Sequence, residues 1–167
     1  MTDDVFDLLI RAGRLFCADS NLDEPGAVAI RDGRIVVVGA DVSGSAKRTL
    51  EFPAGVLLPG LIDLHAHPAT AESVFGVEPD EFVLRRGTTT VGSQGDAGAD
   101  NWPTYRDETI AKSQARVLLA MNLSRVGEST EAGCLERLDD ADVDACVSAI
   151  ESAGDSVWAI AVNVSHN

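Results

Sequence analysis

From Val56 onward the chain alternates between short β-rich runs and helix-like runs, and no other feature restricts its fold as much. "VLLPGLIDLHAH" reads as a mostly apolar strand, "EPDEFVLRRG" as a short helix stopped by Gly87, and "TTTVGSQG" as a strand of Thr and Val. "WPTYRDETIAKSQ" opens with Pro103 near a helix start. "ARVLLAMNLS" is a buried strand. "DADVDACVSAIESAG" places Val143, Cys146, Val147 and Ile150 at helical spacing and stops at Gly154. "SVWAIAVNVS" is a fourth strand. This alternation predicts an α/β protein whose strands pair in parallel through right-handed crossovers.

The segment before it has a different rhythm. "DLLIRAGRLFC" and "GAVAIRDGRIVVVGA" are short β-rich runs, and Asp32-Gly33 between strand-like residues is a hairpin signal. "RTLEFPAGVLLPG" is a third run, interrupted by Pro53, Gly55, Pro59 and Gly60. The expectation is a small antiparallel sheet up to about Phe52, with a core too thin to stand alone.

At 167 residues the chain can bury one ordinary core, but an eight-stranded α/β barrel typically needs ~250. Its net charge of −14 repels phosphate, which argues against nucleic acid as a partner. The acidic start "MTDDVFDLLI" is unlike a basic signal peptide, and no apolar run approaches the ~20 residues of a membrane span. Cys17, Cys134 and Cys146 are odd in number and form no CxxC pair, the pattern of reduced, buried thiols. These features lead to the expectation of a soluble, cytoplasmic protein without nucleic-acid or membrane partners.

The chemistry-bearing feature is the His65/His67 pair in "GLIDLHAHPA". Side chains at i and i+2 of a strand share a face, so both imidazoles can serve one divalent ion. The pair ends the first parallel strand, where sites of such sheets lie. Asp63 shares the face and is placed to orient one ring. A polar strand end is the plainer alternative.

"VAIRDGRIVVVGA" followed by "FPAGVLLPGLIDLHAHP" resembles the opening of the amidohydrolase superfamily, and "GVEPDEFVLRRGTTTVGSQGDAGADNWPTYRDETIAKSQARVLLAMNLSRVGE" with "LERLDDADVDACVSAIES" is similar to its dihydroorotase-like deacetylase branch. The resemblance implies a β-sandwich portion over residues 1–54, then, over 55–167, the first half of a TIM-type (β/α) barrel truncated after strand four. It implies a metal-dependent hydrolase acting on an amide, cyclic amide or ester through a metal-activated water, with His65 and His67 as ligands of a divalent metal, zinc before others.

The pattern departs from the family at Ala161, where a carboxylated lysine is expected. Lys47 and Lys112 are the only lysines and neither replaces it. A one-metal site, or a bridge from another residue, is left open. Asp96 and His166 are secondary candidates, although Asp96 beside Gly95 and Gly98 reads first as a turn residue and His166 as a solvated terminal one. The family's catalytic aspartate falls beyond Asn167. The chain is therefore expected to be a fragment, a truncated reading frame, or one part of an assembly with a homo-oligomeric partner or a missing C-terminal half. Alone it is expected to be inactive, and the competing reading is an inactive amidohydrolase-like binding or structural module. A phosphate-binding sheet is not supported: no GxGxxG or GxxxxGK[ST] follows any strand.

Overall fold

The computed structural model describes residues 5–71, 73–129 and 134–163. It is a mixed α/β structure with two sheets, divided into compact units of Met1–Pro59 and Gly60–Asn167. No helix among the described residues is long and apolar enough to cross a membrane.

In the first unit, β1 (Phe6–Cys17), β2 (Leu22–Arg31), β3 (Arg34–Gly39) and β4 (Ala46–Leu57) form one sheet in the order β3-β2-β1-β4. The Asp32-Gly33 hairpin forms, with positive φ at both residues (51° and 69°), as a two-residue primed turn requires. The expected all-antiparallel pairing is corrected: β4 pairs with β1 in parallel, because the link after β3 crosses to the far edge instead of adding a neighbouring strand. The described residues here form a single sheet with apolar residues on both faces, not two packed sheets. Phe6, Leu9, Ala27, Ala29 and Val42 cluster together; Ala12, Leu15 and Val28 form a second small cluster. A hollow of about 420 Å³ opens among Ile10, Phe16, Ile30, Ile35 and Leu57.

"VLLPGLIDLHAH" is not one strand. Its first residues finish β4, Leu58–Gly60 break the ladder, and Leu61 starts β5. Pro59 has no N–H to donate to a ladder. The division between units therefore falls at Pro59/Gly60, not between 54 and 55.

In the second unit, β5 (Leu61–Ala66), β6 (Thr88–Ser93), β7 (Arg116–Asn122) and β8 (Val157–Ala161) stand in chain order. All three pairings are parallel, as the alternation predicts. The crossovers carry α1 (Pro79–Phe82), α2 (Trp102–Tyr105, continued by a π-helical turn over Arg106–Ile110) and α3 (Val143–Ala153). α1 and α3 begin as the sequence suggests: the Glu78 side chain accepts from the Glu81 N–H, and Asp142 from the Ala145 N–H. Val91, Val117, Leu119 and Met121 of the sheet pack with Trp102, Tyr105, Cys146 and Ala149 of the helices. This core holds the strands in register, so that their C-terminal ends form one rim.

Candidate metal centre

Two of the rim's loops deliver an acid through a glycine. After β6 the chain turns at Gly95 (φ 101°) into Asp96; after β7 it turns at Gly127 (φ 59°) into Glu128. A positive φ suits glycine, and space demands it as well. A Cβ on Gly127 would lie 2.6 Å from the Asp96 carbonyl oxygen. The two loops are tied together, since the Glu128 N–H donates to that oxygen (3.3 Å) and the Asn122 N–H to the Ala97 carbonyl (2.9 Å).

His67 lies one residue beyond β5 and its side chain is 28% exposed. Asp96 is fully buried and Glu128 is 7% exposed. The Asp96 carboxylate receives the Ser73 hydroxyl (2.7 Å) and His67 Nδ1 (3.0 Å) on Oδ1, and the Ser93 hydroxyl (2.5 Å) on Oδ2. Glu128 Oε2 stands 2.8 Å from the same His67 Nδ1, while Oε1 accepts from the Asn163 amide. One donor atom from each of His67, Asp96 and Glu128 lies within 4.8 Å of the others. The Asp96 and then the Glu128 carboxylate hold a proton on His67, raising its pKa from 6.5 to about 10 against the opposing effect of burial.

Of the residues named from sequence, the structure brings His67 and Asp96 together. His65 is exposed, with its ring centroid 6.3 Å from that of His67. Asp63 orients neither ring: its carboxylate accepts the His65 backbone N–H (2.9 Å). Asp96 does occupy a turn, but its carboxylate faces His67, so the turn reading is incomplete. His166 lies outside the described residues. Ala161 ends β8 buried, and Asn163, two residues on, reaches Glu128 and the Cys134 thiol. Burial pushes the Cys134 thiol up in pKa, consistent with an unreactive cysteine. Glu128, Ser73 and Ser93 were not anticipated. The available signal for Glu128 was its place just past a parallel strand, in "SRVGE" after "ARVLLAMNLS".

A parallel βα sheet that gathers a histidine and two buried carboxylates at its C-terminal rim defines an α/β protein with its site at the strand ends. A deacetylase of Enterococcus faecalis is 32% identical over 123 residues, covering 73% of this chain and 32% of that protein. A dihydroorotase crystal structure superposes with a TM-score of 0.84 at 24% identity, covering 95% of this chain and 43% of that one. An N-acyl-D-glutamate deacylase from Bordetella bronchiseptica, complexed with zinc and a phosphonate inhibitor, shares the fold at a TM-score of 0.53 and 20% identity over 71% of this chain and 30% of that one. No family model matches the chain. It is nonetheless homologous to the N-terminal portion of amidohydrolase-superfamily enzymes, and it spans about a third of the length of the relatives it matches.

Proposed function

We propose that this chain is the metal-binding, N-terminal part of a metal-dependent hydrolase that opens a C–N bond of an amide or cyclic amide, or an ester. Its second unit serves as the first four strands of a (β/α) barrel. The observation that carries the reading is the His67–Asp96–Glu128 cluster at the rim. The donors fit a divalent ion: Glu128 Oε2 is buried with no hydrogen bond of its own and shares its one cationic neighbour, the His67 ring, with Asp96, so two buried acids face a single positive charge. Imidazole with carboxylate oxygen is a donor set that zinc accepts. The zinc in the Bordetella enzyme supports that choice.

His65 and His67 would hold the ion. A bound divalent ion supplies a water of lowered pKa and polarises a carbonyl. The chain's own contribution is order. Ser73 and Ser93 fix Asp96, whose Oδ1 stands beside His67 Nδ1, where an ion would take the place of the proton. A small-molecule substrate and a cytoplasmic location belong to this proposal. The relatives' names and the acidic composition support them.

A second reading, an inactive module, is favoured by Ala161 in the place of the expected lysine. Metal content distinguishes the two. The 167-residue chain, loaded with Zn²⁺ and assayed by mass spectrometry, should carry more metal than its His65→Ala/His67→Ala variant, with the fold retained by circular dichroism. Equal metal in both would leave the inactive module as the reading.

A further inference from the structure

We infer that Glu128 is a direct ligand of the proposed ion and brings, from the loop after β7, the carboxylate that Ala161 cannot supply from β8. The inference rests on the metal-dependent reading above. His67 Nδ1 offers a single proton. Two carboxylate oxygens stand beside it, Asp96 Oδ1 at 3.0 Å and Glu128 Oε2 at 2.8 Å. The proton satisfies Asp96, which also has two serine hydroxyls. Glu128 Oε2 is left buried with no hydrogen bond of its own, beside a ring whose single charge it shares with Asp96.

One proton cannot serve both acids, whereas one divalent ion can. The two separations fall within the roughly 4.4 Å that ligands at about 2.2 Å from a common ion can span. The other half of Glu128 is already fixed, because the Asn163 amide holds Oε1 and leaves Oε2 turned to the cluster. Hydrogen-bonded support of this kind is usual behind a ligating carboxylate.

The neighbouring strand shows why the acid comes from here. Ala161 is paired with Asn122 across β7 and β8 and is buried. Its methyl group offers no donor atom to an ion at the rim. Glu128 enters over the same rim from the adjacent loop, where Gly127 makes the turn.

The test is Zn²⁺ titration by calorimetry on the 167-residue chain, comparing wild type, Glu128→Gln and His67→Ala. Each is checked by circular dichroism. Glu128→Gln keeps the shape and the Asn163 partner position but removes the charge. The expected result is Zn²⁺ binding weakened more than tenfold in Glu128→Gln. Weakening of less than tenfold, with binding lost in His67→Ala, would overturn the ligand role of Glu128 and leave the metal reading intact. Undiminished binding in His67→Ala, or none in wild type, would overturn both. Should Glu128→Gln not fold, Glu128→Asp is read by the visible spectrum of bound Co²⁺. A changed spectrum supports ligation, and a wild-type spectrum overturns it.

Discussion

At the scale of single residues, His67 determines how the metal-free site behaves with pH. Its folded pKa, raised to about 10 by Asp96 and Glu128, lies above the unfolded value near 6.5. The folded chain therefore binds more protons between these values. The pairing contributes its full stability below about pH 6.5, loses it progressively as pH rises, and contributes nothing above about pH 10. Urea unfolding in chelator at pH 6, 8 and 10.5 should show this decline, and His67→Gln should flatten it. The same proton must leave when an ion binds. Zn²⁺ binding at pH 7 should therefore release protons, seen as a buffer-dependent heat in calorimetry. Asp96→Ala is expected to destabilise the chain by about 2–4 kcal/mol, because Ser73, Ser93 and His67 lose their common acceptor at a fully buried position. Chemical denaturation measures that loss. The sequence made His65, His67 and Asp96 visible as candidates, since spacing on a strand and position after a strand are local properties. Glu128 was hidden because its partner is 61 residues away in the chain (128 − 67) and only the parallel register brings the two loops together.

At the scale of elements, the strand and helix runs of the second unit were legible because period and punctuation agree: Gly87 and Gly154 stop helices, and each strand is a short run of apolar or β-branched residues broken by few polar ones. The first unit was less legible. Nothing local in "AKRTLEFPAGVL" distinguishes a strand that pairs in parallel with β1 from one that pairs antiparallel with β3; the link across the sheet decides it. The Leu58–Gly60 break was hidden by the apolar residues on both sides. Gly127 connects the element scale to the site. Gly127→Ala must place a Cβ at φ 59°, which costs roughly 1–2 kcal/mol in that backbone region, and within 2.6–2.8 Å of the Asp96–Ala97 backbone. The expected outcome is a stability loss larger than the backbone cost alone, together with weaker Zn²⁺ binding, because the loop that aims Glu128 must move. Unchanged unfolding and unchanged binding would show that the turn tolerates a side chain and does not position the acid. A core change behaves differently. Leu119→Ala, at a fully buried β7 position, should cost about 2–5 kcal/mol through a cavity while the folded fraction retains its metal.

At the scale of the whole molecule, charge and exposed apolar surface act against each other. A net charge of −14 keeps copies apart through mutual repulsion. The two edge strands of the second sheet draw them together: Ile62 (64% exposed) and Leu64 (60%) on β5, and Trp158 (43%) and Ile160 (56%) on β8. Among the described residues each edge also carries backbone groups without a neighbouring strand, a template for pairing with another chain, and apolar residues in such positions mark association surfaces. Repulsion falls with proton uptake and vanishes near the sequence pI of 4.4; the apolar attraction does not depend on charge. Association should therefore be weakest at pH 7.5 in low salt, stronger in high salt, where charges are screened within about 10 Å or less, and strongest near pH 4.4. Light scattering across pH, with wild type beside Ile62→Lys/Ile160→Lys, measures this. The double variant adds charge to both edges and should stay smaller than wild type at pH 7.5 in salt. A monodisperse monomer at every pH and salt concentration would mean that these edges are covered in solution, and the argument from exposed strands would fail.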